Sequence, residues 1–120
     1  MSEKSLEELN HHARKHLAGL SPTLIEAYVR FSRERDLAAL DEIVLGVLEY
    51  HLPPDQRRSL AAELETASLV ADLGVDSLVM VESVFMLEGL LGVTLAEKEI
   101  AHIVSLGELR LFLRQKVTAA

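Results

Sequence analysis

The sequence predicts an all-α protein, a four-helix bundle preceded by an additional N-terminal helical extension. Three observations carry that reading. Apolar residues recur at helical spacing along nearly the whole chain, and no stretch alternates convincingly as a strand would. Hydrophobic residues make up 49% of the 120 residues but aromatics only 4%, an aliphatic inventory that suits small helical bundles better than sheets. Start and stop signals divide the chain into segments of ordinary helix length. This length suits one domain with a modest core and an appended arm. We divide it into a helical extension, residues 1–35, and a bundle, residues 36–120.

Each element has its own signal. Residues 5–17 form a polar helix candidate that ends near Gly19. Ser21 followed by Pro22 is a helix start, a cap with a first-turn proline. Leu24, Tyr28 and Phe31 follow at i, i+4 and i+7, before the charged stretch SRERD. Leu37, Leu40, Val44, Val47 and His51 line one face of the next helix, which Pro53-Pro54 stops. The linker-like DQRRSLAAELETAS has room for a short helix. Residues 77–91 form a longer one, with Gly92 where a C-terminal glycine belongs. Thr94-Leu95-Ala96-Glu97 and Ser105-Leu106-Gly107-Glu108 both match the S/T-x-x-E capping box, so two more helices start there. The first spans about residues 95–103. The second runs to about Lys116 with Leu106, Leu109, Leu113 and Val117 facing inward.

Charge and composition exclude several functions. A formal charge of −7 argues against nucleic-acid binding, which needs Lys and Arg for phosphate contacts. Between residues 59 and 120 stand 4 basic and 9 acidic side chains, so −5 of the −7 lies in that half and complements basic partner surfaces. The absence of cysteine removes disulfides, thiolate catalysis and Cys-ligated zinc, and nothing argues for secretion. MSEKSLEELNHH has no apolar signal core and no run approaches a membrane span, so a cytoplasmic protein is expected.

Residues 71–83, ADLGVDSLVMVES, place a serine at the mouth of a strongly apolar helix. Ser77 could be a cap, a nucleophile or a point of attachment. As the cap of a capping box it would need Glu or Gln at position 80, where Met80 stands. Asp76 is the better cap, leaving Ser77 on the first turn and pointing outward. As a nucleophile Ser77 would need a positioned base. None of His11, His12, His16, His51 and His102 is tied to it by spacing, and G-x-S-x-G is absent. No catalytic residue is assigned, and the chain is not expected to be an enzyme. As an attachment point, a hydroxyl in the positive field of a first helical turn suits a phosphodiester.

The stretch A-S-L-V-A-D-L-G-V-D-S-L, residues 67–78, resembles the modification site of acyl carrier proteins, whose hallmark is a D-S-L triplet often preceded by L-G. The likeness continues through Val81-Glu82, Leu87-Glu88, Val93, Ile103 and the helix start at Ser105, and covers roughly residues 36–116. It implies an acyl-carrier-like bundle bearing 4′-phosphopantetheine, transferred from coenzyme A by a phosphopantetheinyl transferase onto the motif serine, here Ser77. The arm would end in a thiol that holds acyl groups as thioesters for acyl-transferring or condensing enzymes. Family members shelter the acyl chain between the bundle helices. Asp76 matches the family aspartate implicated near the transferase's magnesium, a transient role that implies no permanent metal site. The alternative is an unmodified carrier-like module for protein–protein interaction.

At 100° per residue Met80, Val84, Leu87 and Leu91 share one stripe, read as the core face. The opposite face then carries Leu78, Val79, Glu82, Phe85, Met86 and Gly89, of which the first five are the candidate partner-binding residues. In the resembled family this is the recognition surface and is usually acidic, but Val79 and Gly89 stand where typical fatty-acid carriers place carboxylates. Contiguous exposed apolar residues mark contact with something. The expectation is a specialised carrier in fatty-acid, lipid or polyketide-type biosynthesis whose partner reads apolar shape. Cover from the extension through Leu24, Tyr28 and Phe31 is a second explanation, and a third is that the rotational phase differs and part of this face is core. SLEELNHHARKH is polar all round, whereas SPTLIEAYVRFSRERD has a stripe to bury in cis or against a docking partner. Glu8, His12 and His16 have a spacing that could hold zinc, but a solvated polar face is the favoured reading.

Overall fold

The computed structural model describes residues 22–60, 62–63 and 65–119. The polar helix candidate at 5–17, the Ser21 cap and the trio Glu8, His12 and His16 lie outside them. Pro22 opens α1 (Pro22–Glu34), whose missing N–H costs nothing on a first turn. Leu24, Ala27, Tyr28 and Phe31 form its buried stripe. Burial pushes the Tyr28 phenol above its ordinary range, against a smaller opposing effect of its hydrogen bond with Ser32. A two-residue link follows. Arg35 takes the left-handed conformation, φ 56°, and Asp36 caps α2 (Leu37–His51) by accepting from Ala38 N–H at 2.9 Å.

α2 is the central element. Ala39, Leu40, Ile43, Val44, Leu45, Val47 and Leu48 are all buried, because α1, α3 (Ser77–Leu91) and α5 (Leu106–Ala119) all pack against it. Its apolar content therefore wraps around the helix instead of forming one stripe. Leu37, expected inside, is 38% exposed at the helix start, and His51 is half-buried at the other end. Each fully buried leucine contributes about 1.5–3 kcal/mol relative to exposure. Asp41 pairs with Arg114, tying α2 to α5.

After Pro53 the chain makes one 3₁₀ turn, Pro54–Gln56, and then no helix among the described residues up to Asp76. The linker is nonetheless part of the core. Leu60, Leu69, Leu73 and Val75 are all buried. α3 ends at Leu91, with Gly92 at φ 67° donating to Glu88 O at 3.0 Å, as its position predicts. α4 is a single turn, Glu97–Ile100, shorter than expected. Its expected capping box does not form: Ala96 is the cap and makes no side-chain bond. Glu88 on α3 instead holds this loop, accepting from Leu95 N–H at 2.8 Å. The second capping box does form. Ser105 N–H donates to Glu108 Oε1 at 3.1 Å, and Glu108 N–H to Ser105 Oγ at 3.2 Å. Leu106, Leu109, Leu113 and Val117 on α5 are buried as the pattern predicts.

Among the described residues the chain is thus a bundle of packed helices with no strand, α1 lying along α2. No helix among the described residues is long and apolar enough to cross a membrane.

Candidate functional site around Ser77

Ser77 is the first residue of α3, and the loop before it is held firmly. Ser68 organises the turn: its carbonyl accepts from Asp72 and Leu73 N–H at 3.0 and 3.1 Å, and its Oγ from Ala71 N–H at 3.1 Å. Ser68 N–H in turn donates to Asp72 Oδ2 at 2.7 Å. Val75 N–H closes the turn on Leu69 O at 2.7 Å. Between them Gly74 takes φ 74°, a left-handed conformation that a side chain would strain. That requirement is the physical content of the L-G before D-S-L.

The same loop is laced to the start of α5. Leu69 N–H donates to Val104 O at 2.9 Å and Leu106 N–H to Ala67 O at 3.0 Å, around an isolated antiparallel bridge between Ser68 and Ser105. Gly107 N–H reaches Glu65 O at 2.8 Å. This approach is so close that a Cβ on Gly107 would lie 2.9 Å from that of Glu65. Lys116 holds α4 to α5 through Glu99 at 2.8 Å, and this bond keeps the Glu99 carboxyl below its ordinary range.

Asp76 caps α3, its Oδ1 accepting from Val79 N–H at 2.9 Å. Ser77 is therefore not needed as a cap. It is exposed, and the Ser77 and Leu78 amides have no partner among the described residues. A free hydroxyl beside unpaired first-turn amides is a favourable place for an anionic ester. Beside it opens a cleft of about 400 Å³ between α3, α4 and the two laced loops, its walls mainly Val75, Met80, Val81, Ile100 and Ile103. The hydroxyl at its mouth and the aliphatic walls within fit a phosphodiester-linked arm with an apolar cargo. Among the described residues no histidine lines the cleft.

The outward face of α3 differs from the sequence reading. Val79, expected to face a partner, is 3% exposed and belongs to the core. The buried stripe is Val79, Ser83, Leu87 and Leu90, while Met80, Val84, Met86 and Leu91 are half-buried against it. The helix is rotated by somewhat less than one residue step from the expected phase. Its composition explains the error: α3 is apolar nearly all round, and the buried Ser83 removes the contrast on which periodicity relies.

Leu78 and Phe85 do face outward, 65% and 75% exposed, and Glu82 stands between them in chain order, also exposed. Met86 is half-buried and lines a groove of about 380 Å³ with His51, Val81, Glu82, Phe85 and Gly89. His51 Nδ1 lies 2.8 Å from Val47 O, which orients the ring. Sequence reasoning missed Val81, Val70 and Val104, all exposed and all at the edge of the Ser77 cleft. Only the loop pairing brings Val70 and Val104 there. Leu24, Tyr28 and Phe31 are buried, and α1 packs chiefly against α2.

Comparison with curated proteins and with solved structures gave no match. A family model does match: the phosphopantetheine attachment site, over residues 40–113, which contain the cleft, Asp76 and Ser77. The matched stretch begins within α2 and ends in α5, covering more than half of the chain. Carrier domains of this family bear 4′-phosphopantetheine covalently and are not themselves catalytic. The chain belongs to the phosphopantetheine-attachment family, the acyl carrier protein-like carriers.

Proposed function

We propose that Ser77 Oγ is the attachment atom and that the protein carries acyl groups, serving a specialised carrier role in fatty-acid, lipid or polyketide-type biosynthesis. The observation that supports this most is the division of labour at the α3 start. Asp76 takes the capping role, and the neighbouring hydroxyl is left exposed at the mouth of an aliphatic cleft. When bound, the arm supplies a terminal thiol for thioester formation, a group this cysteine-free chain lacks. The chain's own residues do the rest. The α3 N-terminus favours the phosphodiester charge, and the cleft walls shield an aliphatic cargo from water.

Asp76 remains exposed while capping, so it is available to a phosphopantetheinyl transferase. Of the candidate partner residues, Leu78, Glu82 and Phe85 form the face offered to acyl-transferring or condensing enzymes, with Val81 added and Val79 withdrawn into the core. Residues 1–35 are assigned as an extension, of which α1 braces α2, and the cytoplasm as the site of action.

Intact mass after coexpression with a broad phosphopantetheinyl transferase tests the assignment. The wild-type chain gains the mass of the arm, and Ser77→Ala does not. A wild-type chain that stays bare would instead favour the second reading, an unmodified interaction module, for which the exposed Leu78, Val81 and Phe85 already argue.

A further inference from the structure

α3 buries one hydroxyl in a stripe of hydrocarbon. Ser83 is 0% exposed between Val79 and Leu87, one turn away on either side. Its Oγ has no hydrogen-bond partner among the described residues. Asp41 Oδ1, Arg110 Nε and Arg114 Nε are also buried without partners, but each belongs to a group already in an ion pair. Ser83 has no such compensation. A helical serine commonly returns its hydroxyl to the carbonyl four residues back, here Val79, and that bond is absent. Burying a hydroxyl unpaired opposes folding, and alanine in the same place would not. The core therefore holds an unused donor and acceptor.

Its position connects it to the cleft. Met80 lines the cleft and packs against the core, and Ser83 is its neighbour three residues on, on an adjoining part of the helix surface. Ser83 does not itself line the cleft, and methionine is unbranched and changes rotamer easily, so a shift of Met80 is the route by which a chain in the cleft would reach it. Leu69 and Val75, on other walls of the cleft, are themselves core residues. From Ser77 to Ser83 the helix rises about 9 Å, a distance that a chain turning inward past Met80 can span.

We infer that Ser83 Oγ is a polar subsite for an oxygen on the carried chain, so that the protein favours acyl groups bearing a keto or hydroxyl oxygen over fully reduced ones. The inference rests on the carrier reading of Ser77. The Ser83 hydroxyl donates to a keto oxygen, and with a cargo hydroxyl it both donates and accepts. A saturated chain entering the core would leave it unpaired, and a buried polar group without its partner discriminates against such a ligand.

The test loads the full chain with octanoyl, 3-oxooctanoyl and 3-hydroxyoctanoyl pantetheine from the corresponding coenzyme A thioesters. Each product is then challenged with hydroxylamine, whose rate of thioester cleavage reports how well the chain is sheltered. For each cargo the wild type is compared with Ser83→Ala and with Ser83→Thr, which keeps the hydroxyl. Ser83→Ala should lose about three- to tenfold protection of the oxygenated cargoes, the factor one buried hydrogen bond is worth. It should not lose protection of octanoyl, and Ser83→Thr should retain the oxygen preference. Equal effects of Ser83→Ala on all three cargoes, or none on any, overturn the inference while the carrier reading stands. A chain whose mass shows no arm removes both.

Discussion

The carboxylate of Asp76 accepts from Val79 N–H at 2.9 Å, and this one bond frees Ser77. In a helix that began with Ser77 as its own cap, the hydroxyl would be turned back onto the backbone. Here the cap lies one residue earlier, so the serine begins the first turn and its oxygen faces solvent. The D-S pair thus has a division of roles that local backbone chemistry alone requires.

Two substitutions separate the structural role of Asp76 from its proposed part in modification. Asp76→Ala removes the cap and should lower stability by about 1 kcal/mol, seen as a lower urea midpoint. Asp76→Asn caps almost as well and should return most of that stability. If the charge itself serves the transferase, Asp76→Asn will still be modified slowly, as followed by intact mass over time. Modification at the wild-type rate would confine Asp76 to capping.

Gly74 gives a second test of how the site is built. Its φ of 74° means that Gly74→Ala should cost about 1–2 kcal/mol in thermal or urea unfolding. The added Cβ would also sit 3.2 Å from Gln56 Oε1, a contact the glutamine can relieve by turning. Gly74→Asn should cost less, because asparagine tolerates the left-handed region. An equal loss for the two variants would locate the cost in crowding and not in backbone conformation.

The capping box of α5 predicts part of the acid response. Ser105 N–H and then Ser105 Oγ hold the Glu108 carboxyl below its ordinary value of 4.5. A carboxylate depressed in the folded state contributes stability that is present above the unfolded value and lost as pH falls through the folded one. Glu108→Gln should therefore flatten the pH dependence of the unfolding midpoint below about pH 4.5 and leave its direction unchanged near neutrality. Burial acts oppositely at Glu49, raising its carboxyl against a hydrogen bond from Leu60. Its contribution is fully present below the unfolded value and is lost as pH rises through the folded one, so Glu49→Gln should make neutral solutions relatively kinder to the fold. A steeper acid profile in Glu108→Gln would contradict the capping geometry.

Much of this architecture is legible in residue order because the signals are local. Pro22, Pro53, Gly92 and the Ser105–Glu108 box mark helix ends through backbone chemistry that neighbours supply by themselves, and Asp36 caps α2 in the same way, although the sequence reading names no cap there. Thr94-Leu95-Ala96-Glu97 carries the same kind of signal and fails, because Glu88 on α3 secures that loop from a distance. What lies across the fold could not be read. The bridge between Ser68 and Ser105 joins segments far apart in sequence, and it brings Val70 and Val104 to the edge of the cleft. Ser77 was legible as an exposed first-turn serine, since Met80 ruled it out as a capping-box cap and Asp76 offered a better one. The rotation of α3 was not, since Ser83 is a polar residue inside and Leu78, Val81 and Phe85 are apolar residues outside.

That rotation yields the sharpest pair of substitutions. Val79 and Phe85 would be interchangeable surface positions under the expected phase, yet they are 3% and 75% exposed. Val79→Asp places an unpaired carboxylate against the α2 packing surface and should cost about 3–5 kcal/mol, a large share of the 5–15 kcal/mol typical of such domains. Burial raises the pKa of a carboxyl so placed, so the loss should shrink as pH falls and the group becomes neutral. Phe85→Asp touches only solvent and the His51 groove and should stay within about 0.5 kcal/mol of wild type. Its effect should instead be seen in acyl transfer to a partner enzyme, slowed at unchanged stability. Paired urea titrations at pH 7 and pH 5 decide the matter. A stable Val79→Asp would return that residue to the outward face, beside Phe85.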